Sequence, residues 1–371
     1  MFLSTPRIST LTLLAGLVVG GVLAPLTAGA EDGKTLRVTG LAQVDYRTAF
    51  QAPPGVASHE FNLRRARVNF DAGVTSRIRC ELQLQGDGAN VGSASLIDAY
   101  VDFLVHPGLT LRAGQNKYEF DFEAREGDPA IPLLDRSFAS NAVAGSLSGL
   151  STANIAVAAA RDRGLTLVSD FERAGMKWRV GGGVYQGSGR SSDDDSAVAF
   201  TLRAEAARGP VKLGMGYLRS PPAARADPLP TRFEGVNVGA IFERGRMLLR
   251  GEYYGARRDR AGRREDVAGF YLVGGVSVVT SLDVLVRYQR LRDGHFPAGE
   301  DGIRSVDLGV KWFFERRGRC AGTFLAANLM FRRADPGFDQ GVTLLDDGRG
   351  ELLASGRDVG TVLIVRWQVE F

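Results

Sequence analysis

Polar and apolar positions alternate along almost the whole chain from Leu36 onward, in segments of about ten to thirteen residues separated by turn-rich stretches. In 75–85, Ile78, Cys80, Leu82 and Leu84 share one face, and Arg77, Arg79, Glu81, Gln83 and Gln85 share the other. In 196–207, Val198, Phe200, Leu202 and Ala204 oppose Thr201, Arg203 and Glu205. In 305–315, Val306, Leu308, Val310, Trp312 and Phe314 oppose Asp307, Lys311 and Glu315. The last segment, GTVLIVRWQVEF (360–371), sets Val365, Trp367, Val369 and Phe371 against Arg366, Gln368 and Glu370. A slip of one residue would turn Arg366 into lipid, at about 2–4 kcal/mol near the bilayer midplane. Strands with one oily and one charged face predict a membrane barrel: the oily face meets lipid and the charged face a wet lumen.

Connection lengths point the same way. Short turns are predicted at Gly73-Val74, Pro107-Gly108, Ala174-Gly175, Gly209-Pro210, Arg244-Gly245 and Arg316-Arg317-Gly318. Long loops are predicted near 50–60, 86–95, 118–150, 187–195, 220–232, 256–265, 292–302 and 333–357. Short turns on one rim and long loops on the other are expected of an outer-membrane barrel. The expectation is an all-β fold: a transmembrane antiparallel β-barrel of about 16 strands, one domain, enclosing an aqueous channel.

Composition narrows this further. Arg7, the apolar stretch 11–26 and the small residues Ala28-Gly29-Ala30 have the order of a secretory signal peptide. Residues 1–30 are therefore read as cleavable and 31–371 as the barrel, exported to the outer membrane of a Gram-negative cell. No later segment approaches the 18 or so apolar residues that a membrane-spanning helix needs. The mean hydropathy of −0.07 suits a barrel that averages a lipid face against a polar lumen. Cys80 and Cys320 are expected to be free thiols. The net charge of +4 conceals runs of both signs and does not point to nucleic acid. The basic stretch 255–266 is expected to cap a loop in water or to meet lipid headgroups. Asp193-Asp194-Asp195 reads as a solvated acidic run, and His59, His106 and His295 lack metal-ligand spacing, so no metal or cofactor is expected.

Candidate chemistry concentrates in two places. The connection 118–150 is too long for an ordinary hairpin; it contains acids, Arg125, a proline-bracketed turn from Asp128-Pro129 to Pro132, and Asp135-Arg136. Such a loop is expected to fold inward and narrow the channel. Ahead of it, FNLRRARVNF (61–70) has Val68 and Phe70 on the lipid side, so parity places Arg65, Arg67 and Asn69 in the lumen and Arg64 outward, near the rim. Guanidinium groups match anionic oxygens with paired donors. These arginines form either a selective anion site or a set of solvated charges balanced by Asp71, Glu81 and Asp98.

Two stretches carry a family resemblance: FNLRRARVNFDAGVTSRIRCELQLQ (61–85), and LIDAYVDF (96–103) through LTLRAGQNKYEFDFE (109–123) to LLDRSF (133–138). Together they resemble the phosphate-selective porin O and P family. That resemblance implies a sixteen-stranded trimeric channel with an inward-folded third loop, an arginine-lined path and a central anion site. Arg64 and Arg65 fall on the family's arginine pair and Arg136 on its third-loop arginine. A lysine that phosphate-specific members use in that loop corresponds to Ala124 here, with Arg125 adjacent. The family's later arginine ladder is similar in placement to 218–233, where Arg219, Arg225 and Arg232 are the candidates. The implied function is passive passage of small anions, phosphate or polyphosphate, with outer-membrane lipid and lipopolysaccharide as surroundings. Two alternatives stand beside it. A general or carbohydrate-passing porin would use Tyr100, Tyr254 and Tyr271; a barrel enzyme would need a hydrolytic constellation that no motif supplies.

Overall fold

The computed structural model describes residues 26–29, 34–50, 59–86, 94–141, 161–187, 198–220, 231–260, 263–294, 302–335, 345–346, 349–350 and 360–371. Sixteen antiparallel strands close into one barrel: β1 (Thr35–Ala49), β2 (His59–Thr75), β3 (Ile78–Gly86), β4 (Ser95–His106), β5 (Leu109–Lys117), β6 (Arg161–Arg173), β7 (Met176–Tyr185), β8 (Ala199–Arg208), β9 (Val211–Ser220), β10 (Thr231–Arg244), β11 (Met247–Arg260), β12 (Arg263–Val279), β13 (Leu282–Asp293), β14 (Gly302–Arg316), β15 (Gly322–Ala334) and β16 (Gly360–Glu370). Each strand pairs with the next, and β16 pairs back onto β1 from Val362 opposite Ala49 to Glu370 opposite Leu41. The ring leaves no open edge, which satisfies the backbone inside a bilayer.

The alternation read from the sequence sets the faces. On β14, Val306, Leu308, Val310, Trp312 and Phe314 are exposed outward, whereas Ser305, Asp307 and Lys311 are buried inside. On β16, Trp367 is exposed and Arg366 and Gln368 are buried. A short strand, Leu26–Gly29, pairs with Thr35–Val38 and is not needed for ring closure. Cleavage after Ala30 would remove it and leave the sixteen strands intact. Cys80 and Cys320 are free thiols.

Three local expectations need correction. The first short turn lies at Ser76-Arg77, because Gly73 and Thr75 still pair with β3. The turn expected at Arg244-Gly245 lies at Gly245-Arg246, because Arg244 still pairs with Met247, and a tight turn outside the expected set joins β12 to β13 at Thr280-Ser281. The segment 256–265 is largely strand rather than loop, with Arg257 opposite Asp266, Arg258 opposite Glu265 and Asp259 opposite Arg264. Its opposite charges fall across from one another, and such cross-strand pairs favour pairing over a solvated coil.

Candidate functional site

The long connection after β5 folds into the barrel. Within it, Tyr118, Phe120, Ala124, Leu133, Phe138 and Ala139 are buried in a core with inward-facing Phe233, Leu248, Tyr254, Val273, Leu285, Leu291 and Ile303 of β10–β14. Leu134 packs with Phe313, Phe324, Met330, Val362 and Ile364 of β14–β16. The loop therefore covers apolar patches on the luminal wall of β10–β16, set among buried polar side chains such as Glu252, Gln289 and Lys311. The inward positions of β1–β5 are mostly polar and border the remaining bore.

Glycines on the inner wall make the close approach possible. A side chain at Gly216 would overlap the Phe120 carbonyl, and one at Gly214 would strike the Phe122 ring. Polar anchors then fix the backbone. Glu252 on β11 accepts bonds from the amides of Phe122 and Glu123 at 2.8 and 2.9 Å. Gln289 accepts from the amide of Phe138 at 2.8 Å, and Lys311 donates to the Ile131 carbonyl at 2.7 Å.

The predicted arginines form the opposite anchor. Arg64 is not outward-facing: a bulge opposite Gln43-Val44 inserts one residue into β2, so Arg64 and Arg65 both point inward. Arg64 pairs with Asp135 of the loop at 3.1 Å and with Asp45 at 3.8 Å. Arg65 pairs with Asp128 at 3.4 Å, and Arg67 and Arg136 bond to the same carboxylate. Arg136 also donates to the carbonyls of Glu123 and Glu126, at 3.2 and 2.8 Å, bracing the loop from within. Arg366 holds Asp45 through two bonds of 2.7 Å and donates to the Leu134 carbonyl. Arg64, Arg65 and Arg136 are thus engaged with the loop's own carboxylates.

What remains open is a cavity of about 540 Å³ lined by Arg37, Arg67, Arg112, Lys117, Arg125, Arg161 and Arg317 on the basic side. Its acidic side chains are Glu81, Asp98, Glu119 and Glu370. Most of these charges are paired. Arg161 grips Asp98 at 2.8 and 3.0 Å, and Arg125 meets Glu119 at 3.0 Å and Glu205 at 3.2 Å. Arg112 grips Asp102 at 2.7 and 2.9 Å and lies 3.7 Å over the Tyr100 ring.

Lys117 differs. Its ammonium donates to the carbonyls of Arg125 and Glu126, at 3.1 and 2.6 Å, and no carboxylate among the described residues lies within ion-pair distance. Sequence reasoning passed over it; the only signal was its place at the inner end of β5, where the chain turns into the loop. Of the other candidates, Arg219 sits on the outward face, sharing the parity of exposed Leu213 and Met215. Arg225 lies outside the described residues, as does the side chain of Arg232, whose backbone pairs with Asp259. Tyr254 and Tyr271 are sealed behind the loop, bonded to Asp121 and Glu252, so of the three tyrosines only Tyr100 meets the bore.

The sequence that builds this barrel matches the model of the phosphate-selective porin O and P family over residues 37–272. The chain belongs to that family. It is an outer-membrane porin, a channel built on a closed sixteen-stranded barrel. No curated protein sequence matches it. Among solved structures, this porin is similar to the anion-selective porin from Comamonas acidovorans, with 14% identity and a TM-score of 0.67 over 91% of this chain and 100% of that one. The trimer form of OmpT from Vibrio cholerae gives 12% identity and a TM-score of 0.60, covering 91% and 99% of the two chains. The outer-membrane channel DcaP of Acinetobacter baumannii gives 12% and 0.59, covering 93% and 99%.

The two anchors of the porin loop respond differently to acid. Burial opposes ionisation of Asp128 and Asp135, yet their guanidinium neighbours, Arg136, Arg65 and Arg67 for the first and Arg64, Arg47 and Arg366 for the second, hold both well below the ordinary carboxylate range. A carboxylate depressed on folding contributes stability that is present above its unfolded pKa and lost only as pH falls through the folded value. On the other flank, burial raises Asp121 and Glu123, so acid protonates them more readily in the folded state and favours it. Single-channel conductance should therefore stay constant from pH 7 to pH 4, with no added gating noise. Loop release centred near pH 4 would contradict the clamp.

Proposed function

We propose that this porin passes small anions, with phosphate and short polyphosphates as its preferred class. The observation that supports this reading most strongly is the bore lining, in which seven basic side chains face four acidic ones. Lys117 weighs most, because its charge is held by carbonyl dipoles rather than cancelled by a carboxylate. It supplies an ammonium to the bore, as the family's loop lysine does, although that lysine's position is Ala124 here. Arg67, Arg125 and Arg161 add hydrogen-bond donors around the same cavity. The similar anion-selective porin of Comamonas acidovorans agrees with the sign of the charge.

The proposal includes export through cleavage of residues 1–30 and assembly as a homotrimer, the form of the similar OmpT structure. Arg64, Arg65 and Arg136 act in it as supports of the path rather than as its lining.

Reversal potentials across a salt gradient provide the test. The wild type should prefer chloride over potassium, and added phosphate should reduce the chloride current. Lys117→Gln should lower the anion preference about fivefold, since one charge at 4 Å is worth about 1 kcal/mol even at the dielectric of water. Cation preference in the wild type would refute the reading.

A further inference from the structure

Three arginines stand side by side on the outward face, at the long-loop end of the barrel. Arg290 on β13 is directly opposite Arg304 on β14, and Arg304 is directly opposite Arg333 on β15. All three are exposed. Residues so paired hold their Cβ atoms about 4.5–5.5 Å apart, and like charges in that relation repel. Among the described residues, no carboxylate comes within ion-pair distance of any of them. The adjacent hairpin resolves the same situation differently: outward-facing Arg257 lies opposite Asp266 and pairs with it at 3.2 Å. The triad lacks such an internal partner.

The surroundings identify what compensates it. One pleat deeper along the same strands, Tyr288, Val306 and Phe331 form a matching cross-strand row, each at least 40% exposed. Phe270 flanks Arg290 on β12. The triad therefore sits on the upper border of the oily band, where lipid headgroups begin. Guanidinium forks suit phosphate oxygens, and stems of this length lie along apolar surface while the heads remain in the polar layer.

We propose that Arg290, Arg304 and Arg333 form a docking site for the phosphate groups of lipopolysaccharide, whose acyl chains lie against Tyr288, Val306 and Phe331. The site is outside the bore, so it stands or falls independently of the solute reading.

Native mass spectrometry of the detergent-purified porin, titrated with bisphosphorylated lipid A or with chemically dephosphorylated lipid A, tests it. The wild type should retain the bisphosphorylated form selectively. The R290A/R304A/R333A variant should bind it about tenfold more weakly, as expected when several charge-assisted bonds are lost. R257A, which removes an arginine already paired to an acid, should bind like the wild type. Single-channel conductance of the triple variant should match the wild type, showing that barrel and bore are intact. Equal retention of the two lipid forms by the wild type would overturn the proposal without reference to any variant. Undiminished binding by the triple variant would overturn it as well.

Discussion

Asp128→Ala should loosen the constriction loop, raise single-channel conductance and destabilise the barrel more than any other single truncation in the lumen. The Asp128 carboxylate is the meeting point of Arg65, Arg67 and Arg136, and it is buried. Removing it leaves three guanidinium groups close together in a space of low dielectric. Breaking a buried pair by deleting one partner costs about 3–5 kcal/mol, because the other charge stays behind. The loop offers no cheap escape, since Arg136 also ties the carbonyls of Glu123 and Glu126 together. Urea unfolding followed by the heat-modifiable gel shift measures the stability, and bilayer recording measures the conductance. Asp128→Asn separates charge from shape: it keeps the volume and an acceptor oxygen, so it should lose most of the stability but open the bore less. Wild-type conductance and stability in both variants would show that the clamp does not hold the loop.

The barrel itself was readable because one physical rule acts locally and repeatedly. Every strand must keep oil outside and water or partners inside, so alternation alone places Trp367 outward and Arg366 inward. The rule fails where an extra residue breaks the parity. The bulge at Arg64 reverses that side chain, and nothing in FNLRRARVNF announces it, because the cause is register against Gln43 and Val44 on another strand. Arg219 shows the converse. It obeys the alternation of β9 and therefore faces outward; the later-loop resemblance could not override its parity.

The candidate site was less readable than the fold, for a reason that residues on the far wall make clear. Val362 and Ile364 are apolar and point inward on the closing strand, as do Phe313, Phe324 and Met330 nearby. Taken one strand at a time, these look like imperfections in a wet face. Together they are the floor on which Leu134 lies. Only the closed ring brings them opposite the loop. The arginine pair was found correctly as inward chemistry in part, but its partners Asp128 and Asp135 lie about sixty to seventy residues away along the chain, so its engagement with them depended on the loop's path. Lys117 escaped notice because its role comes from the two carbonyls that the turning loop presents to it.

Gly216→Val should displace the loop from the opposite flank. Gly216 faces inward on β9, and a Cβ there would overlap the Phe120 carbonyl, which is backbone and cannot rotate away. The β9 backbone is fixed by pairing on both sides, with Arg203 opposite on β8 and Asn237 opposite on β10, so the loop must yield. Overpacking of this kind costs about 1–3 kcal/mol. Displacement also draws Phe122 and Glu123 away from Glu252, leaving a buried carboxylate short of two donors, at a further cost of about 1–3 kcal/mol. The outcome should resemble Asp128→Ala in conductance while leaving the arginine cluster paired. Gly216→Ala should give a weaker version of the same effect. If the two anchors hold one rigid loop, combining Gly216→Val with Asp128→Ala should raise conductance little beyond either change alone, because a loop already released cannot be released again. Additive conductance changes would instead mean that the two flanks move separately, with the proline-bracketed turn around Asp128-Pro129 acting as the joint.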